Sequence, residues 1–368
     1  MDLTTPTHGG NLSWAAAIAQ CSPDEILDFS ASINPLGPPQ SVIDALQTAI
    51  QTRRSLTAYP DPEYTRLRQA IAQHHQTQGH SIDPAWIFPG NGAAELFTWI
   101  ARDCQDLSTV YLPVPAFADY GRALRSLQIP ITPLPLSLDP NNTDLPWPRS
   151  PQSHSGLWLN NPHNPTGRLW TAQTIRQHLE STADALEIVA IDEAFMDFLP
   201  PEEQQNLIHC IADYPQLVIV RSLTKFYSIP GLRLGYAIAH PDRLQRWQQW
   251  RDPWSVNALA EVAGLAALSD RDFAQTTWHW LPDTRATLGR SLQNMGGITV
   301  YPGAANFLLV KSSTPAPSLQ QHLLRRDRIA IRDCSTFPEL GHHHFRVAVR
   351  TEDQNQRLIA AVLNTLNS

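Results

Sequence analysis

No run of apolar residues in this chain approaches the roughly 18 needed to cross a bilayer, so no membrane span is expected. The first residues, MDLTTPTHGGN, lack a basic region followed by an apolar core, so no signal peptide is expected either. Positive charge is in deficit. The 27 Lys and Arg stand against 34 Asp and Glu, and the net charge of −7 argues against nonspecific nucleic-acid binding. Cysteine is sparse: Cys21, Cys104, Cys210 and Cys334 lie far apart and form no C-x-x-C. That excludes a disulfide framework and a cysteine zinc site, and reads as free thiols in a reducing compartment. The three adjacent histidines, His342, His343 and His344, point in different directions on a strand or loop, so no metal is expected. Together these absences predict a cytoplasmic protein.

What remains is a globular chain. Its 368 residues suffice for a large domain plus a smaller one, and 42% hydrophobic against 17% charged residues excludes disorder. Residues 1–40 read as an arm, with a short helical run at 12–20 and an extended, proline-ended stretch at 27–39. Helices are predicted at 40–52 and from Asp61 and Pro62 onward, where Asp61 would cap and Pro62 occupy the first helical position. From residue 86 to 239, apolar strands alternate with helices. Residues 130–155, rich in Pro, Ser and Asn, read as a surface connection. Residues 241–294 are mostly helical, and 298–368 alternate short strands and helices as a small α+β unit.

The organising stretch is 218–235, VIVRSLTKFYSIPGLRLG. A buried apolar strand leads into a loop carrying Ser222, Lys225 and Arg233. A lysine in such a low-dielectric place loses its proton readily and attacks aldehydes. Ser222 and Arg233 suit a phosphate. Aldehyde and phosphate together point to pyridoxal 5′-phosphate (PLP), although by itself the stretch also fits an ordinary exposed loop. Three further strands end in polar groups. One opens a helix through Gly92 and Ala93, where free N–H groups favour an anion. The others end at Asn164 and at Asp192, the latter placed for the carboxyl edge of an open sheet. A carboxylate for the ring nitrogen, a donor for the ring hydroxyl, a lysine and a phosphate cradle are what PLP requires. In the arm, His8, Gly9 and Gly10 present successive N–H groups to an anion, or else form a plain flexible leader.

GNGAAELF, NPHNPTG, DEAF, SLTKFYSIPGLRLGY and FRVAV together resemble the aspartate-aminotransferase superfamily of PLP enzymes over essentially the whole chain. Within it the sequence is similar to histidinol-phosphate aminotransferases. It is closer to L-threonine-O-3-phosphate decarboxylases of cobalamin synthesis, through HGGN, DFSASINPLGPP, DEAF and TKFYSIPGLRLGY. The resemblance implies an α/β protein of PLP-dependent transferase fold type I. It has a mostly parallel seven-stranded sheet in a large domain (41–255) and a small α+β domain (256–368) joined by the arm (1–40).

The resemblance also implies roles. Lys225 carries the cofactor and moves protons, Asp192 pairs with the ring nitrogen, and Asn164 donates to the ring hydroxyl. Gly92, Ala93, Ser222 and Arg233 hold the phosphate, and Phe117 stacks on the ring. Tyr59 reaches the phosphate of a neighbouring subunit, which implies a homodimer with shared sites. Arg346 grips the substrate carboxylate and Asn34 contacts the substrate. Arg332, unless merely paired on the surface, binds the substrate phosphate with His8 and Gly9. The expected reaction is decarboxylation of L-threonine O-3-phosphate. The alternatives are histidinol-phosphate transamination and a non-catalytic protein that kept the fold. Two departures stand out. Phe195 replaces the tyrosine of many relatives' DEAY, which favours the decarboxylase, and Ser32 stands where decarboxylases are expected to carry asparagine.

Overall fold

The computed structural model describes residues 6–366. Thirteen strands are present among them. They are β1 (Leu27–Asp28), β2 (Ile87–Gly90), β3 (Thr109–Val114), β4 (Ile131–Pro135), β5 (Ser155–Asn160), β6 (Leu186–Asp192), β7 (Leu217–Ser222), β8 (Gly235–Ala239), β9 (Ile298–Val300), β10 (Phe307–Ser312), β11 (Ile329–Ala330), β12 (Arg332–Asp333) and β13 (His344–Ala348). Seven of them form the expected sheet, in the order β2-β8-β7-β6-β5-β3-β4. β8 runs antiparallel to both its neighbours; the other pairs are parallel.

The central strands are apolar on both faces because both faces are covered. Side chains alternate along a strand, so Val189, Ile191, Leu217 and Ile219 enter one core while Ile188, Ala190, Val218 and Val220 enter the other. Helices Ala93–Asp103, Ala118–Ser126 and Pro241–Trp250 supply Leu96, Phe97, Tyr120 and Trp247 to the second core. Three of the parallel strands, β5, β6 and β7, end side by side. Their carboxyl ends deliver Asn160, Asp192 and Ser222 to one edge, where ligands bind in open α/β sheets.

The smaller antiparallel sheet runs β12-β13-β10-β9. β1 pairs in parallel with β11, Leu27 opposite Ile329, and so ties the arm to the last third of the chain. No helix among the described residues is long and apolar enough to cross a membrane.

Three local expectations need correction. Residues 130–155 are not merely a connection. β4 lies at the edge of the sheet, paired with β3 alone, and an edge strand tolerates the missing N–H of Pro133 and Pro135. Leu145 and Trp147 beyond it are buried. The helix assigned to start at Pro62 instead runs Thr65–Thr77, because Tyr64 takes a left-handed conformation (φ 48°). The Asp61 carboxylate still serves its start, accepting from the Thr65 N–H at 2.9 Å. Lys225 lies not on an open loop but in a one-turn helix, Leu223–Phe226.

Behind the site edge, Arg221 is fully buried and donates to Glu193 (2.8 Å) and Asp197 (2.5 Å). Removing one member of such a set leaves buried charge uncompensated. Arg221→Ala is therefore expected to cost about 3–5 kcal/mol, read as a lower urea midpoint; an unchanged midpoint would contradict this.

Candidate active site

β7 and the turn after it set the position of Lys225. The Lys225 carbonyl accepts from the Asn34 N–H at 3.0 Å, and the Asn34 side-chain amide donates to the Phe226 carbonyl and to Thr277 Oγ1, both at 2.9 Å. Asn34 Oδ1 takes the Leu36 N–H. Asn34 was expected to touch substrate. It is instead buried with these groups engaged, and it does not line the cavity. Its geometry is that of a residue that clamps the lysine turn. The Lys225 side chain lies in a cavity of about 260 Å³. Burial, with the charges of Arg346 and Arg233, pushes its amine down to about 8, against the opposing pull of Asp192.

Asp192 ends β6, 7% exposed. Its carboxylate accepts from the Tyr120 hydroxyl at 2.5 Å and from the Ala194 N–H at 2.9 Å. Burial nonetheless raises it to about 6. A buried carboxylate with so few donors is suited to a cationic partner. Tyr120 carries no sequence signal, since an aromatic on the apolar face of a helix reads as core.

Asn164 is held through its backbone N–H by Asn160 Oδ1 (2.6 Å), and Arg346 Nη1 donates to its side-chain oxygen. A guanidinium only donates. Arg346 therefore fixes the orientation of the Asn164 amide and leaves Nδ2 as its donor. Phe195 lines the same wall without a hydroxyl, edge-on to Phe307 (5.0 Å, 78°).

At the opposite end, the helix Ala93–Asp103 begins after Gly92, whose φ of 77° favours glycine. A Cβ there would come within 2.4 Å of Arg233 Nη2, so the missing side chain lets the guanidinium reach the helix start. Ala93, Ala94, Ser222, Thr224 and Arg233 line this end, with the Ser222 and Thr224 hydroxyls 2.7 Å apart. The combination of helix N–H groups, dipole, two hydroxyls and a cation forms an anion cradle. Thr224 was missed by the sequence reading.

Arg332 and Arg346 reach the cavity from β12 and β13, opposite one another in register. Arg346 lies 4.6 Å over the Phe307 ring. Arg332 donates to the carbonyls of Pro6 (3.1 Å) and Thr7 and to Thr336 Oγ1 (2.7 Å), so it is not a plain surface cation. His8 and Gly9 line the cavity, and the His8 ring lies 5.4 Å from Phe117. A Cβ on Gly9 would meet the Ser30 carbonyl oxygen at 2.2 Å, which explains the glycine. Gly10 departs from the sequence reading: its N–H is spent on Ser30 Oγ (2.8 Å), not offered to an anion. Tyr59 lies outside the cavity, 80% exposed and stacked on Trp254 at 4.4 Å.

The donor set fits PLP. An amine of lowered pKa, a buried carboxylate, an oriented amide and an anion cradle stand around one cavity, and only a glycine at position 92 leaves that cradle its shape.

Comparison with known proteins identifies the family. The family model described as aminotransferase class I and II matches residues 24–362. Threonine-phosphate decarboxylase of Salmonella typhimurium is 40% identical over 370 residues, covering 100% of this chain and 98% of that protein. Histidinol-phosphate aminotransferase of Symbiobacterium thermophilum is 31% identical over 344 residues, covering 92% and 90%. Among solved structures, L-threonine-O-3-phosphate decarboxylase from Porphyromonas gingivalis superposes with a TM-score of 0.81 at 26% identity, covering 92% of this chain and 99% of that one. The chain belongs to the class I and II aminotransferase family of PLP-dependent enzymes.

Proposed function

We propose that the protein decarboxylates L-threonine O-3-phosphate to (R)-1-aminopropan-2-ol O-2-phosphate in cobalamin synthesis. The observation that carries this reading is a pair of arginines, Arg332 and Arg346, lining the cavity in addition to Arg233. With Arg233 serving the cofactor phosphate, two cationic grips remain for the substrate. A substrate bearing both a phosphate and a carboxylate matches them. The full-length similarity to threonine-phosphate decarboxylase supports the same choice.

Bound in this cavity, PLP supplies an electron sink for a bond broken at the substrate's Cα. Lys225 would carry it and afterwards return a proton to Cα. Asp192 would hold a proton on the ring nitrogen. Asn164 would donate to the ring hydroxyl, with Phe195 adding no second donor, and Phe117 would cover the ring. Gly92, Ala93, Ser222 and Arg233 would hold the phosphate. Arg346 would take the substrate carboxylate, and Arg332, with His8 and Gly9, its phosphate. By anchoring both anions, Arg332 and Arg346 would set the orientation of the substrate's Cα bonds, and so which of them breaks. Product analysis tests this. The amino alcohol phosphate should form with no 2-oxo acid present. If amino-group transfer from histidinol phosphate to a 2-oxo acid is the only reaction, the histidinol-phosphate aminotransferase reading replaces ours.

The arm (1–40) and residues 256–368 form the small domain in this reading, and 41–255 the large one. We also place the protein in the cytoplasm as a homodimer. Exposed Tyr59 and Trp254, with Leu56 nearby in sequence, support a subunit contact in which Tyr59 completes a neighbour's phosphate site. Tyr59→Phe should then weaken PLP retention without unfolding the protein, as read by cofactor loss on dialysis.

The Lys225 amine attacks only when neutral. Its pKa is depressed to about 8, so the neutral fraction rises as pH rises through that value. Cofactor loading of the apoprotein, followed by absorbance, should accelerate over the same range. Arg346→Met removes a neighbouring positive charge and should move the rise to higher pH; a pH-independent rate would contradict the assignment.

A further inference from the structure

We infer that a second cavity, lined by Arg168 and Arg285, binds a small phosphate monoester and that this ligand holds the turn carrying Asn164. The cavity, of about 440 Å³, shares no lining residue with the one that holds Lys225. It is large enough for a small organic ligand. Both arginines are half-buried, and neither forms an ion pair among the described residues. Arg168 donates to the Asp139 carbonyl at 3.0 Å, and its Nη1 is buried without a partner. The Asp139 carboxylate is turned to the Asn141 N–H at 2.9 Å instead. Arg285 donates to the carbonyls of Ala304 (2.6 Å) and Ala305 (3.1 Å). Burial lowers both guanidinium groups from their ordinary range. A partly desolvated cation without a counter-ion is costly, and a bound anion relieves that cost.

The backbone anchors both arginines at one crossing. Arg168 closes the turn after β5: its carbonyl takes the His163 N–H at 2.7 Å, and the His163 carbonyl takes the Gly167 N–H at 2.6 Å. The Gly167 carbonyl in turn accepts from the Ala304 N–H at 2.7 Å. The Ala304 carbonyl is the one that holds Arg285, which comes from the helix Arg271–Gln293. Two guanidinium groups suit the several oxygens and double charge of a phosphate monoester. Trp170, Tyr301 and Pro302 supply an apolar wall for its organic part. The lining has a single carboxylate, that of exposed Glu203, which the two cations outweigh. Asn164 stands within the same turn, with its side chain in the catalytic cavity. A phosphate gripped by both arginines would fasten that turn to residues 301–304 and so be felt at Asn164.

The test is calorimetric titration of the PLP-loaded protein with phenyl phosphate, in an Arg332→Gln background that removes the phosphate grip proposed for the catalytic cavity. The expected result is a one-to-one complex that Arg168→Gln weakens about tenfold or more, the loss of a hydrogen-bonded charge. Glu203→Gln, a change at an exposed side chain, should tighten it severalfold. Inorganic phosphate should bind more weakly, since it leaves Trp170 and Tyr301 uncovered, and so should benzoate, which carries one charge on the same ring. No complex, or a complex that neither Arg168→Gln nor Glu203→Gln alters, would overturn the site. Benzoate binding as well as phenyl phosphate would overturn the choice of a phosphate. Phenyl phosphate should also shift the cofactor's absorbance band, because Asn164 faces the ring in the proposed function. That part alone rests on the functional reading, and binding with no shift would overturn the link to Asn164 while leaving the reading intact.

Discussion

Lys225→Ala should reduce turnover by about four orders of magnitude or more, because in the proposed mechanism one amine both holds the cofactor and moves the proton. The surrounding structure makes this amine hard to replace. Burial and two guanidinium groups depress its pKa to about 8, so a substantial neutral fraction exists near neutral pH. Added small amines would have to reach the same reduced charge without the same pocket. The fold should survive, because the lysine turn is clamped through backbone carbonyls by Asn34 and not through the lysine side chain. Circular dichroism and the thermal midpoint check the fold, and single-turnover kinetics check the chemistry. Activity within tenfold of wild type would refute the role given to Lys225.

Asp192→Asn should lower turnover by about a hundred- to thousandfold, the usual loss when one charged group aimed at a developing charge is removed from a dry site. Asparagine keeps the shape, and its single oxygen can still accept from the Ala194 N–H, while its Nδ2 would then donate to the Tyr120 oxygen in place of the hydrogen bond that Tyr120 now gives. It cannot keep a proton on a facing ring nitrogen through charge. The loss should therefore fall on kcat more than on KM, with a shifted cofactor absorbance band. Tyr120→Phe is the control. That hydrogen bond lowers the carboxyl pKa, so its removal raises it further and should cause a smaller loss, largest at low pH, where more of the carboxyl is protonated. If Asp192→Asn and Tyr120→Phe cost the same at every pH, the carboxylate acts through packing, not charge.

Residues whose role follows from local pattern were legible in the sequence. An apolar strand followed by a polar group placed Asp192 at the end of β6, and Ser222 and Lys225 at and just beyond the end of β7, because the strand itself fixes where those groups emerge. Gly92 was legible as a helix start. Groups that act through long-range contacts were not. Tyr120 meets Asp192 across 72 residues, and Arg346 orients Asn164 across 182, so neither partnership leaves a local trace. Asn34 was placed at the substrate by the resemblance; the hydrogen bonds of its side chain here reach Phe226 and Thr277, which no spacing rule joins to it. β4 was hidden by its prolines, which an edge position permits. The arginine pair was named from the resemblance, but only the antiparallel register of β12 and β13 shows Arg332 and Arg346 opposite one another.

The central claim is that this cavity anchors a phosphate and a carboxylate together and cleaves the bond to the carboxylate. It is tested most directly by measuring carbon dioxide released from L-threonine O-3-phosphate by the PLP-loaded protein, with no 2-oxo acid present. The account predicts one carbon dioxide per substrate consumed, sustained over many turnovers. No release, with pyridoxamine phosphate accumulating from histidinol phosphate, would contradict it and assign the two arginines to a transamination.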